Sequence, residues 1–225
     1  TLRWVRPLKH ILCLFDGARV PFSVDQVESV DFTLGHRFMG TPDPFPVKDF
    51  ESYVEGLEKH FVMLDSDLRR QHILSAAQTL CFARNLELVD DVGLLDEVAG
   101  LAEWPTPILG DMNPDFLDLP PEVIRTSMRT HQKYFAVRDP STGKLAPHFI
   151  TVANIEAADG GAVIAAGNGK VLAARLSDAR FFWDTDRKKS LADWAHGLET
   201  VTYHAKLGTV ARPDKVELAD RKSVV

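Results

Sequence analysis

Cysteine is scarce: Cys13 and Cys81 are the only two in 225 residues. Both sit in apolar runs and read as buried free thiols, since a disulfide framework needs more cysteines. Neither has the cationic neighbours that make a thiolate. The eight histidines never fall at H-E-x-x-H or H-x-x-x-H spacing, and no C-x-x-C occurs, so no local zinc motif is present. A G-x-S-x-G nucleophile elbow is missing too. No apolar run approaches the roughly 18 residues that span a bilayer. There is no basic-then-apolar leader, and the first residue is Thr1 rather than Met. The expectation is a cytoplasmic protein cut from a longer chain. Basic excess is lacking: the net charge is −6, so nucleic acid can be met only through local basic features.

Gly167-Asn168-Gly169-Lys170 invites a phosphate-loop reading and fails it. The required first glycine is Ile164, and the Ser/Thr after Lys is Val171. A dinucleotide fingerprint would need glycine at Leu172. The acidic pairs Asp65/Asp67, Asp90/Asp91 and Asp184/Asp186 read as helix caps and helix ends. A glycosidase-type acid/base pair among them is the rival reading.

What is present is an ordinary hydrophobic fraction, 45%, enough for a core. Residues 1–27 read as strands. His10 to Phe15 is an apolar run expected to be a buried strand, and Asp16-Gly17 is a hairpin signal. Pro21 marks an edge or strand end. Residues 31–39 are expected to add a strand, and the prolines of 40–46 to forbid regular structure. Residues 49–60 have helical spacing, with Phe50, Tyr53, Val54 and Leu57 on one face. Residues 61–64 are a strand candidate. Asp65 and Ser66 cap a helix whose buried stripe is Ile73, Ala76, Ala77, Leu80 and Cys81, with Arg69 and Arg70 outward. A third helix covers 92–102, closed by Trp104-Pro105. Residues 106–111 read as a strand and Asn113-Pro114 as a turn.

Residues 120–156 organise the chain. A helix starts at Pro120-Pro121, where a missing N–H costs little. At Lys133 the period changes to two. Residues 134–137 and 148–152 are strands, joined by the turn chemistry of 139–144. Beyond Gly160-Gly161 a long helical region carries the stripe Leu172, Leu176, Ala179, Trp183, with a break expected near Asn168 because two glycines disfavour helix. A short helix spans 191–198. The domain reading is 1–155 as the main α+β domain, 156–210 as a helical segment packing on it, and 211–225 as a frayed tail. The fold class is α+β, a mixed or antiparallel sheet with packed helices.

Specific strings run through this pattern. Thr126 to Phe135 (TSMRTHQKYF) is followed by Phe149 to Asn154, Gly167-Asn168, Leu176 to Phe182, Thr185 to Lys189 and Lys206 to Thr209. Upstream stand Trp4-Val5-Arg6-Pro7, Gly35-His36-Arg37-Phe38-Met39-Gly40 and Glu103-Trp104-Pro105. In this order they resemble the β subunit of bacterial two-subunit glycyl-tRNA synthetase, over nearly the whole chain. The sequence departs from that family at Gly169, commonly acidic, at Ala173, commonly basic, and in the Arg212-Pro213 pair.

The resemblance implies a tRNA-binding subunit that supports glycine–tRNA ligation while an α subunit holds the catalytic core and uses ATP. The implied partners are that α subunit, tRNA(Gly) and the rest of the β subunit. No cofactor is implied for this region. It also implies a fold similar to the editing-type module of the phenylalanyl-tRNA synthetase β subunit. The cations expected to meet RNA or a partner are Arg129, Lys133, Arg187, Lys188 and Lys189. A solvated helix end is the plain alternative for 187–189. The rival function is aminoacyl-ester hydrolysis by His131, Gln132 and Asn154, with a histidine as base; a structural spacer is the third.

Overall fold

The computed structural model describes residues 8–204 and 208–210. The expected tail at 211–225 and the strand reading of residues 1–7 lie outside them. The contacts divide the chain into two units, 1–176 and 177–225.

The first unit begins with short strands. β1 (Ile11–Leu12) pairs parallel with β5 (Val27–Val30), and β4 (Ser23–Val24) pairs antiparallel with β5. β2 (Leu14–Phe15) and β3 (Ala18–Arg19) form the expected hairpin over Asp16-Gly17, both with positive φ. The apolar run 10–15 is not one buried strand. It breaks at Cys13, whose amide bonds the Val30 carbonyl, and Phe15 is exposed. β6 (Phe32–Thr33) is shorter than expected and pairs with β7 (Phe45–Pro46), so a proline does enter a two-stranded edge.

α1 (Phe50–Lys59) is capped by Asp49 and Ser52 in a reciprocal capping box. Leu57 is buried, but Phe50, at the helix start, faces solvent. Residues 61–64 are not a strand: Phe61 has φ 61° and ends the turn after α1. α2 (Ser66–Phe82) is capped by Asp65 and buries Ile73, Ala77 and Cys81 on one helical face. Arg69 is not an outward residue. Its guanidinium donates to the carbonyls of Met63, Leu64 and Ala99, which pins the loop before α2 to the end of the next helix.

β8 (Glu87–Leu88), α3 (Val92–Ala99) and β9 (Thr106–Asp111) follow. After a 3₁₀ turn at 114–118 comes α4 (Pro121–Thr126), which continues as a π-helical turn over 127–132. Lys133 closes it in the left-handed region, at φ 59°. β10 (Phe135–Arg138) and β11 (Leu145–Ala153) complete a four-stranded antiparallel sheet of order β8-β10-β11-β9.

One face of that sheet carries the core. Phe135, Val137, Ile150 and Leu88 meet Ile73, Ala77 and Cys81 of α2 and Leu94, Val98 and Ala99 of α3. On the other face Phe149 stacks on Tyr134 at 4.7 Å and lies over Gly110, its partner in register. A Cβ at Gly110 would stand 2.3 Å from the Phe149 ring.

α5 (Ala162–Asp186) runs unbroken through Gly167-Asn168-Gly169, against the expected break. Contacts with the sheet hold this stretch in place. Asn168 Nδ2 donates to Thr151 Oγ1 at 3.3 Å, and a Cβ at Gly169 would come 3.0 Å from the Asp111 carbonyl. Leu172 and Leu176 are fully buried, each contributing about 1.5–3 kcal/mol by removal from water.

The second unit holds the end of α5, α6 (Leu191–Gly197) and the strand pair β12 (Thr202–His204) with β13 (Gly208–Thr209). Ser190 and Asp193 cap α6 reciprocally, and Trp194 Nε1 donates to the Asp186 carbonyl. The fold is α+β. Among the described residues no helix is long and apolar enough to cross a membrane.

Candidate functional site

The π-helical turn sets the main site. The turn 127–132 and the residue that closes it present Arg129 and Lys133 to α3. Arg129 Nε donates to Asp91 Oδ2 at 2.8 Å, while Asp91 Oδ1 accepts from the Leu94 amide at 2.9 Å as the N-cap of α3. Gly93 leaves room for the guanidinium: a Cβ there would lie 3.1 Å from Arg129 Nη2. Lys133 Nζ reaches Glu97 Oε1, further along α3, at 2.7 Å. On the sheet Arg138 grips Glu87 across the β8–β10 ladder, Nε to Oε2 at 2.9 Å and Nη2 to Oε1 at 2.7 Å. That guanidinium holds the Glu87 carboxyl below the usual glutamate range.

Between α3, α4 and β10 lies a cavity of about 340 Å³, within the size range of small-ligand sites. Asp91, Glu122, Arg125 and Arg129 line it together with Tyr134, whose hydroxyl is pushed up by burial. Charges of both signs line the cavity in equal number, and Arg129 is already tied to Asp91. This arrangement can orient a polar group by hydrogen bonds. Among the described residues no group of three or more His, Cys, Asp or Glu side chains is placed to hold a metal.

The structure pairs Arg129 and Lys133, from the π turn and its closing residue, with Asp91 at the cap of α3 and Glu97 within it. His131 is exposed on the π turn and Gln132 half-buried behind it. Asn154 has another task. Its Oδ1 accepts from the amides of Glu103 at 2.7 Å and Trp104 at 2.9 Å, clamping the loop before β9 to the end of β11. Among the described residues no hydrogen bond joins His131, Gln132 and Asn154. Glu122 and Arg125 were not read from the sequence. Their spacing with Arg129, running from α4 into the π turn, is the signal that would have found them. Asp91 was read only as a cap.

In the second unit Arg187 lies over the Trp183 ring, 5.7 Å from its centroid, and Lys189 over Trp194 at 4.8 Å. Lys188, between them, is exposed. Phe181 and Phe182 meet edge to face at 5.5 Å and are largely exposed.

The sequence model of one family, described as glycyl-tRNA synthetase beta subunit, matches residues 1–221. The chain is 70% identical over 209 residues to the glycine–tRNA ligase beta subunit of Phenylobacterium zucineum (strain HLK1), covering 93% of this chain and 31% of that protein. It is 50% identical over 231 residues to the corresponding subunit of Ruegeria sp. (strain TM1040), covering 98% and 33%. With that of Paracoccus denitrificans (strain Pd 1222) it shares 50% over 218 residues, 94% of this chain and 32% of that protein. The chain spans about a third of the length of the curated relatives it matches.

Proposed function

Because the chain belongs to the glycyl-tRNA synthetase beta subunit family, we propose that it serves glycine–tRNA ligation as a tRNA-positioning and scaffold region. Its partners in this reading are the α subunit, tRNA(Gly) and the rest of the β subunit, in the cytoplasm. ATP is consumed through the α subunit, and this region contributes no chemistry. The four-stranded sheet with its helices corresponds, in the same reading, to the editing-type module of the phenylalanyl-tRNA synthetase β subunit.

The observation that carries the positioning role is the cation–aromatic array of 183–194. Guanidinium and ammonium groups held over indole rings keep their charge in water while their stems are ordered. Such groups meet phosphates at low entropic cost and stack bases beside them. Arg129 and Lys133 are weaker phosphate partners, since each is neutralised by a carboxylate of α3.

The test is the salt dependence of tRNA(Gly) binding by the whole α/β enzyme. Each phosphate left without its cation should lower the slope of log K against log salt by about 0.7–0.9. The triple variant Arg187/Lys188/Lys189→Ala is expected to bind more weakly with a flatter slope. An unchanged slope would make 187–189 a solvated helix end and remove the tRNA role from this segment.

A further inference from the structure

The loop 35–40, GHRFMG, is used by neither site above, yet it is tightly specified within the first unit. A Cβ at Gly35 would stand 2.2 Å from His60 Cβ, and one at Gly40 would stand 2.8 Å from the His36 carbonyl. His36 is buried. Its Nδ1 accepts from the amides of Phe38 at 3.2 Å and Met39 at 3.1 Å, which places the ring proton on Nε2. Among the described residues that Nε2 is buried without a hydrogen-bond partner, a cost that folded chains seldom tolerate.

The loop is anchored at both ends. The His36 amide donates to the His60 carbonyl at 2.8 Å, and His60 is itself stacked on Phe45 at 4.3 Å. At the other end Met39 Sδ accepts from the Glu156 amide at 3.3 Å, and Glu156 Oε1 accepts from Trp104 Nε1 at 2.8 Å. What this framework holds out is Phe38, 77% exposed, with the Arg37 guanidinium 5.6 Å from its ring centroid.

A rigid loop that fixes an aromatic ring in water, with one face covered by a guanidinium, has the composition of a base-stacking platform. We propose that Phe38 stacks an unpaired nucleotide of the tRNA on its open face, with Arg37 directed at the adjacent phosphate. The inference rests on the tRNA reading above and assigns it a second, separate contact. An RNA partner fits better than a protein pocket, because the guanidinium beside the ring carries the charge that a phosphate needs. Burying Phe38 in a protein would also strip water from the Arg37 charge stacked on it.

The experiment titrates tRNA(Gly) into the whole α/β enzyme carrying Phe38→Ala, Phe38→Leu, Phe38→Trp or Arg37→Ala. Stacking one base is worth about 5- to 150-fold in affinity. Phe38→Ala and Phe38→Leu should both weaken binding in that range, because Leu keeps the apolar bulk and removes the π face. Phe38→Trp should retain it. Phe38→Ala should leave the salt slope unchanged, while Arg37→Ala should lower it by about 0.7–0.9. Equal affinity for Phe38→Ala and the parent enzyme would overturn the proposal. So would a weakened α/β association with tRNA affinity intact, which would make the loop a protein contact. If the parent enzyme itself does not bind tRNA(Gly), the underlying functional reading fails instead.

Discussion

Arg129 and Asp91, 38 positions apart in the chain, meet Nε to Oδ2 at 2.8 Å, and the same carboxylate caps α3 through its other oxygen. One side chain therefore starts a helix and ties that helix to the π turn. The two bonds differ in value. An N-cap contributes about 0.5–2 kcal/mol, whereas a partly exposed ion pair contributes about 0–1 kcal/mol. Asp91→Ala should destabilise more than Arg129→Ala, and Asp91→Asn, which keeps a capping oxygen, should lie near Arg129→Ala. Urea midpoints of the three variants check the order. A larger loss in Arg129→Ala would show that the guanidinium, and not the cap, holds α3.

Two glycines of one helical region should respond in opposite directions. Gly161 has φ +88°, and a Cβ there would lie 2.6 Å from Ile108 Cδ1. Gly161→Ala is expected to cost about 1–3 kcal/mol through strain and overpacking. Gly167 lies within α5, and among the described residues no other part of the fold comes inside 4 Å of an added Cβ. Gly167→Ala should stabilise by about 0.5–1 kcal/mol by favouring helix. A lower thermal midpoint for Gly167→Ala would contradict the continuous helix through Asn168, and a higher one for Gly161→Ala would contradict the strain at that position.

Local signals were legible and long-range ones were not. The helix starts at Asp49, Asp65 and Asp91, the Asp16-Gly17 hairpin and the strand 106–111 follow from residues within a few positions of one another. The unbroken path of α5 depends on Thr151 and Asp111, which no window around Asn168 contains. Arg69 looked like a surface residue because its three carbonyl partners come from two other segments. The cavity was invisible for the same reason, being assembled from three stretches of chain. The partners of Arg129 and Lys133 were hidden because Asp91 and Glu97 lie far from them in the chain.

Acid should destabilise the fold through its caps. Asp159 is held below the usual aspartate range by the amides of Val163 and Gly161, and Asp49 by the amide and then the hydroxyl of Ser52. Arg138 does the same to Glu87. A carboxylate lowered in the folded state binds fewer protons there than in the unfolded chain. Its contribution is present above the unfolded pKa, about 3.9–4.3, and disappears as pH falls through the lower folded value. The denaturation midpoint should therefore stay level from pH 7 to about 5 and decline below about 4. Asp159→Asn should show a shallower decline than the parent protein. A decline beginning near pH 6.5 would point to histidine instead.

The remaining expectation is that this region does not hydrolyse aminoacyl-tRNA. Ester hydrolysis needs an activated water, a group to take its proton and donors for the developing oxyanion. The candidate groups are His131, Gln132 and Asn154. Asn154 Oδ1 already holds the amides of Glu103 and Trp104, so its orientation is fixed by the loop it clamps. His131 sits exposed on the π turn, outside the cavity whose charged lining is Asp91, Glu122, Arg125 and Arg129. Its neighbours in sequence are tied to α3, which holds the turn in place without any part from the imidazole. Incubated with alanyl- and seryl-tRNA(Gly), the α/β enzyme should release ester at the rate seen in buffer. Asn154→Ala should lower the thermal midpoint by freeing two amides, while His131→Ala should leave both stability and deacylation unchanged. Deacylation above background that disappears in His131→Ala would establish an editing site at the π turn and overturn the non-catalytic reading.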